Sequence, residues 1–593
     1  AVLRVLGSAK RWLIDKLFAA DRLALYERLD RIENVVRSDS AAQQHRLEAE
    51  QRAAEQRLQA AVLETRESMI ARLAASEQAL GERLTQQFTE QLTRQLAELL
   101  ASSGQRAAAG EQALIQRLGA VEQGQIAALQ GVQMQLGVVH QLQLNADARI
   151  EAIGRQTDSA LEGIAAQKLQ ARRMRAEHVL WSQIGQLPDL RLSGPMRNVL
   201  FLHNSYYHFF YLAKELRRRG WRALSVSFED PNGANANYYH GEDLNLHDPD
   251  PLQQIANIEA LYEFAKDHFD LLHFAGDGIM SFFPSNYALP DPPDIVEWKK
   301  LGKRVAYTIS GCKSATAQTS VRAWSRQANG RGMCDNCPWE NRPEVCSDAG
   351  NLEWAAKVHK YCDLVFSELQ PSLDGLSSRH PNVVRGPVSM VLDPELWRPD
   401  LEIPAAFRLE REPGEVLVYH AFGNYDVRGT EGRNIKGTPA IHQAVERLRA
   451  EGFPVRLMFF SSVPNEIVRF YQAQADIVVD QLWAGSWGAN GRESLMLGKP
   501  VVGFVNTYEH DPADVLEALT TTPVVNATVD TIYDVLRGLV QDPQRRADLG
   551  RRSREYALAW HAAAAGAARY ELAYDAMLRR SIRIGLPAET PVP

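Results

Sequence analysis

Proline is absent from the first 187 residues; all 28 prolines lie at or after Pro188. Aromatic residues are almost as scarce there, with only Trp12, Phe18, Tyr26 and Phe88 in the first 180. A stretch so poor in core-filling residues, and dominated by the helix formers Ala, Gln, Leu, Glu and Arg, cannot close a globular core by itself. It predicts a long helix that buries its apolar stripe against a partner. A run of about 18 apolar residues is also missing, which excludes an apolar membrane-spanning helix. So is a secretory signal with its n-h-c layout. Cationic excess is lacking: the net charge is −7 and is spread along the chain, so nucleic acid is not an expected partner. The five cysteines are confined to the stretch from Cys312 to Cys362. That argues for a local site rather than an extracellular disulfide framework, and the expected location is cytoplasmic.

What the N-terminal stretch does contain is periodic. From Leu129 the steps of three and four run through Val132, Leu136, Val139, Gln143, Ala146, Ile150, Ile153, Thr157, Ala160, Ile164, Gln167, Ala171 and Met174. A sustained heptad seam of this kind predicts a left-handed coiled coil and self-association. Leu58, Met69 and Leu80, and likewise Val62, Leu73 and Leu84, recur every 11 residues, which favours a straighter bundle. Gly104, Gly110, Gly119 and Gly124 are expected to break the arm into two helical segments. Residues 1–25 pair Leu3, Trp12, Leu17 and Phe18 with Arg4, Lys10, Arg11 and Lys16. This basic amphipathic pattern reads either as the start of the bundle or as peripheral attachment to the inner face of a membrane.

After Pro188 the period changes. Strands are predicted at 197–203, 223–228, 271–274, 303–309 and 364–366, alternating with helices near 209–219 and 252–267. A second series follows: strands at 415–420, 455–460, 477–479 and 500–504, with helices at 439–451, 465–474 and 491–497. Strands alternating with helices imply parallel sheets covered on both faces, with ligands at the strand C-terminal ends. The expected architecture is α/β: a helical coiled-coil arm over 1–180, then two Rossmann-like domains over 195–392 and 413–555. A last helix is expected within 556–581. The Pro-rich stretch 393–413 is the expected linker, and a cysteine-rich insertion, 312–346, sits in the first domain.

The chemistry-bearing residues lie in the second series. His420 ends a strand and leads into a short loop with Gly423. Arg433, Lys436 and Gly437 then precede a helix that begins near Pro439. An arginine fork, a lysine point charge and free helix N–H groups together suit a diphosphate. Asp480 leads into the loop 485–491, which opens another helix. There the N–H groups, those of Ser494 and Leu495 among them, are expected to face phosphate, and Glu493 can accept two ribose hydroxyls.

At these residues the sequence resembles the glycosyltransferases of GT-B architecture, close to family 4 ("group 1"). The likeness covers roughly 197–580 and is most specific at 420–503. The resemblance implies that Arg433 and Lys436 hold the diphosphate of a nucleoside diphosphate sugar and that Glu493 holds its ribose. It implies retaining transfer without a catalytic divalent metal, onto a glycan, lipid-linked or protein acceptor, in cell-surface polysaccharide or glycoconjugate synthesis. It also implies that the last helix crosses back to the first domain. The sequence departs from the family in two places. Gly485 stands where the first glutamate of the family motif belongs, leaving Asp480 as the candidate sugar-contacting carboxylate. His273 is the candidate acceptor-side histidine, displaced by two residues from the expected place. A nucleotide-sugar epimerase and a non-catalytic scaffold with a degenerate head are the competing readings.

Cys334 and Cys337 form a Cys-x2-Cys knuckle, followed by Cys346 and preceded by Cys312. Four thiolates match the ligand count of a structural zinc site; an iron–sulfur cluster uses the same ligands, and free thiols remain the plain alternative.

Overall fold

The computed structural model describes residues 110–584 apart from 195, 204–205, 234–240, 277–278, 310, 313–314, 341, 343, 369–382, 386–389, 430–431 and 507–512, together with scattered positions between 75 and 98. The basic amphipathic stretch 1–25, the 11-residue repeats from 58 to 73 and Gly104 lie outside the described residues. The chain divides into two compact units, Ala1–Ile153 and Gly154–Pro593.

Helix α1, Gly110–Ile184, is a single 75-residue helix. The expected break at Gly119 and Gly124 does not occur. One glycine costs only about 1 kcal/mol against alanine in a helix, too little to end a run of strong helix formers. No other atoms approach either glycine. Among the described side chains of the first unit, Ile126, Met134, Val138 and Leu144 are exposed. The seam side chains from 129 to 160 lie outside the described residues. In the second unit the end of α1 is anchored, because Leu180 and Ile184 enter an apolar core. There Arg175 pairs with Asp248 at 2.8 Å and Arg172 with Asp250 at 3.1 Å.

The second unit holds two parallel sheets. The first contains β1 (Asn198–Leu202), β2 (Arg222–Ser227), β3 (Leu244–Asn245), β4 (Leu271–Ala275), β5 (Arg304–Thr308), β6 (Leu364–Ser367) and β7 (Val383–Arg385), in the order β3-β2-β1-β4-β5-β6-β7. The second contains β8 (Val416–Ala421), β9 (Val455–Phe460), β10 (Ile477–Val479), β11 (Val501–Gly503) and β12 (Val525–Asn526), ordered β12-β11-β10-β8-β9. Every pairing between these strands is parallel. β2 is buried at all six positions, as a strand covered on both faces must be. The helices that matter below are α2 (His208–Arg218), α3 (Pro251–His268), α4 (Pro293–Lys300), α5 (Gln318–Trp324), α6 (Asp348–Tyr361), α7 (Thr438–Ala450), α8 (Asn465–Gln474) and α9 (Ala489–Met496). Local signals set their ends. Asp250 caps α3 through the Leu252 N–H with Pro251 in the first turn, and Ser347 caps α6 through Gly350.

Strand order reverses between β1 and β4 in the first sheet and between β8 and β10 in the second. A parallel sheet opens a crevice at such a reversal, beyond the strand C-terminal ends. The loops after β1, β8 and β10 are therefore the places where a ligand is expected.

Two segments link the lobes. The final helix expected from the sequence is in fact two, Pro543–Trp560 and Ala563–Ile584. The chain turns at His561 and Ala562, where it meets the other crossing. Leu392 N–H donates to the His561 carbonyl at 2.8 Å, and Ala563 N–H donates to the Leu392 carbonyl at 2.8 Å. The approach is so close that a side chain on Gly566 would lie 2.1 Å from a Val391 methyl. Beyond this point Tyr570 lies beside His208 and Tyr574 beside His273 of the first lobe.

Candidate functional site

The loop after β8 gathers three cations. The Phe422 ring lies beneath Arg428 at 4.8 Å and Lys436 at 5.9 Å, both measured to its centroid. Arg433 Nη1 donates to Glu340 Oε2 at 3.1 Å and to the Cys337 carbonyl at 2.8 Å. Lys436 Nζ donates to Asp480 Oδ1 at 3.2 Å and to the Ala421 carbonyl at 3.2 Å. Arg428, which the sequence motif does not flag, also faces Trp339 at 5.8 Å, and its buried Nε has no hydrogen-bond partner. Among the described residues, Asp480 pairs with Lys436 and Glu340 with Arg433.

Asp480 is fully buried, and both its oxygens are engaged, one with Lys436 and the other with the Gly488 N–H at 2.6 Å. It orients the lysine and fixes the loop that opens α9. A direct sugar contact does not fit that placement. Gly491 must remain small here, because a Cβ would come within 2.8 Å of Asp480.

Several expected donor contacts turn out to be struts. His420 is enclosed, between the Val479 carbonyl at 2.9 Å and the Thr438 hydroxyl at 2.8 Å. Burial, with the Lys436 charge nearby, pushes its pKa down to about 3, so it is neutral and ties β8 to β10 and α7. Gly437 adopts a positive φ of 77° against Leu482 and Val529, a packing position. The N-terminal N–H groups of α7 are not an open cradle, since Asn434 Oδ1 accepts from Lys436 N and Thr438 N. Gly423 is half-exposed, and its carbonyl accepts from Arg428 at 3.4 Å. Ser494 and Leu495 are also corrected. α9 begins at Ala489, so their N–H groups lie beyond the first turn, where helices satisfy them internally. Both side chains are buried.

Glu493 is 2% exposed. Its Oε1 accepts from Tyr207 Oη at 2.5 Å and from Asn465 Nδ2 at 2.9 Å, and its Oε2 from Gln472 Nε2 at 2.9 Å. Tyr207 belongs to the loop after β1 of the first lobe, so the crevice ends of the two sheets meet at this carboxylate. Beside it Arg492, also buried, forks onto Glu368 at the end of β6, at 3.1 and 2.5 Å. Sequence reasoning missed Tyr207, Arg492 and Glu368, for their partners are more than 100 residues away in the chain.

Burial raises the Glu493 carboxyl above its ordinary 4.5, against the lowering effect of its three hydrogen bonds. Stability from a group raised on folding is present below the unfolded value and is lost as pH rises through the folded one. The melting temperature of the wild type relative to Glu493→Gln should therefore fall as pH rises from about 4 to about 8. A difference that stays flat across this range would contradict the assignment.

His273 does not line a cleft. It is fully buried in β4, between Tyr574 Oη at 2.5 Å and Thr308 Oγ1 at 2.8 Å, and the rings of Phe201, Phe209 and Phe366 surround it. Burial holds its pKa well below the usual histidine range. With no exposed ring atom it cannot exchange a proton with an acceptor, and it is a satisfied core histidine.

The cysteine-rich insertion reaches the second lobe. Gln327 donates to the Leu482 carbonyl, Asn506 to the Trp324 carbonyl, and Asn329 to Asp530 at 3.0 Å. The Trp324 ring lies where a side chain on Gly485 would be, 2.8 Å from its Cβ position, and Gly485 has φ 72°. Cys312, Cys334, Cys337, Cys346 and Cys362 form no disulfide. Among the described residues no group of three or more His, Cys, Asp or Glu side chains is arranged to hold a metal ion, so the tetrathiolate expected from the spacing is not assembled. Burial pushes the Cys334 thiol up to about 12, with Cys337 and Cys346 close enough to raise it further, and burial also raises Cys337, with Cys346 adding to it.

No protein-family model matches the chain, and no curated protein matches it. Solved structures do. Sucrose-phosphate synthase from Thermosynechococcus elongatus is 14% identical, with 65% of this chain and 100% of that chain covered and a TM-score of 0.40. HepE from Anabaena, solved with UDP and glucose, is 13% identical over 64% of this chain and 100% of that one, with a TM-score of 0.39. The UDP-GlcNAc 2-epimerase from Neisseria meningitidis, bound to UDP-GlcNAc, is 13% identical over 64% and 99%, with a TM-score of 0.36. Among the described residues no helix is long and apolar enough to cross a membrane.

Proposed function

We propose that the chain is a glycosyltransferase that takes its sugar from a nucleoside diphosphate sugar. The observation that carries this reading is that Arg428 and Lys436 stand over the Phe422 ring, with Arg433 in the same connection, at the reversal of strand order in the second sheet. Leaving-group charge develops on a diphosphate as the glycosidic bond breaks. Fixed cations in a site that excludes water stabilise that charge without a proton transfer or a divalent metal. The first lobe then supplies the acceptor side and the second the donor side. Glu493 accepts the ribose hydroxyls once Tyr207 and Asn465 yield their places on Oε1. Transfer is retaining, and the acceptor is a glycan, a lipid-linked intermediate or a protein. The seam of α1 joins copies of the chain.

A second reading draws on Trp324 over Gly485. An indole filling the space beside the donor loop favours a head that binds nucleotide sugar without turning it over. Incubation with a panel of nucleoside diphosphate sugars separates the readings. Release of nucleoside diphosphate that depends on an added acceptor is the expected result. Isomerised sugar without release would replace transfer with epimerisation, and binding with neither would leave a non-catalytic head.

A further inference from the structure

The insertion between β5 and β6 does more than cover the second lobe. Arg433, whose side chain is 37% exposed, directs its Nη1 onto a carboxylate and a carbonyl of the first lobe, Glu340 and Cys337. An oxygen anion on a guanidinium is what a phosphate would supply, and a carboxylate is its nearest side-chain counterpart. We propose that Glu340 is a built-in occupant of the anion seat, and that the stretch 315–340 of the insertion is a gate which an incoming diphosphate must displace. This rests on the donor-seat reading above and adds to it the group that competes with the donor.

Two observations support a gate rather than a fixed wall. Glu340 is shared between the lobes. It also pairs with Arg322 of α5, so it has a resting place in the first lobe when it leaves Arg433. Arg322 in turn holds Asp335 at 3.0 Å, which ties the cysteine knuckle to the same helix. Finally, the seat is cationic beyond what the gate neutralises, since Arg428 Nε is buried without a hydrogen-bond partner. A diphosphate brings more charge and more acceptor oxygens than the one carboxylate it replaces.

Pyrophosphate, which carries the anion without a base or sugar, tests the gate on the full chain. Glu340→Gln keeps the shape and removes the charge, and should bind pyrophosphate about fivefold more tightly than the wild type by titration calorimetry. As a second readout on the unaltered chain, pyrophosphate should accelerate alkylation of the buried Cys334 thiol by about as much or more. Equal or weaker binding by Glu340→Gln, or no pyrophosphate binding by either protein, overturns the gate. So does alkylation that pyrophosphate leaves unchanged. The donor reading is judged separately, with UDP, ADP and GDP on Lys436→Ala. If Glu340→Gln tightens pyrophosphate while Lys436→Ala leaves all three nucleotides unaffected, the seat is gated but is not a donor site.

Discussion

Replacing Lys436 by alanine is expected to weaken nucleoside diphosphate binding by about 10- to 100-fold, the size of a lost hydrogen bond between charged groups. Lys436 has an unusual position for a phosphate ligand. Its side chain is only 13% exposed and it faces Asp480, which is fully buried. Removing the lysine therefore acts twice: it deletes a phosphate ligand, and it leaves a buried carboxylate without its cation, which costs about 3–5 kcal/mol where the burial is complete. Asp480→Asn in the same background should restore much of the stability and none of the affinity. Calorimetric titration of the single and double variants, paired with thermal melts, separates the two effects. A change in affinity of less than about threefold would remove the donor assignment.

Arg492→Met should destabilise the second unit by about 3–5 kcal/mol, because the guanidinium and the Glu368 carboxylate it grips are 7% and 12% exposed. The pair links the start of α9 in one lobe to the end of β6 in the other. Its loss should loosen the closed arrangement as well as lower the denaturation midpoint. The double variant Arg492→Met with Glu368→Leu removes both charges and should recover a large part of the loss, since a paired apolar replacement avoids the stranded charge. If the single and double variants unfold at the same denaturant concentration, the coupling between the two residues is absent and the clamp has to be discarded.

Most of the second unit's elements were legible in the sequence. β1, β2, β4 to β6 and β8 to β11 fall within a residue or two of the apolar runs that predict them, and Asn465–Gln474 matches its expected span. Runs buried on both faces are the strongest signal a sequence carries for parallel strands. β3, β7 and β12 were not legible. They are two or three residues long and owe their extended form to a neighbouring strand rather than to a pattern of their own. The turn at His561 carries no glycine or proline; it exists because Leu392 of the other crossing supplies its hydrogen bonds.

The site was legible in a different proportion. Arg433 and Lys436, which the sequence motif singles out, lie in the connection after β8, at the sheet's reversal point. The roles of the individual residues did not follow from spacing. His420, Gly437, Ser494 and Leu495 are near the seat in sequence but spend their side chains or backbone on holding it up. Arg428 ends the one-turn helix Tyr425–Arg428, which is too short to show a helical period in the sequence. Tyr207, Glu368 and Glu340 come from the other lobe, and no reading of local sequence brings residues so far apart to one carboxylate or guanidinium.

The stitched crossing at Leu392, His561 and Ala563 has a mechanical meaning. Two separate tethers would let the lobes slide as well as swing. Tethers bonded to each other at one spot resist sliding there and favour rotation about that spot. The Trp487 indole N–H donates to His561 Nε2 at 3.2 Å, so the loop after β10 is fastened next to that pivot. Whatever angle the lobes adopt, the back of the crevice travels least, and a cargo anchored there would keep its footing while the mouth widens.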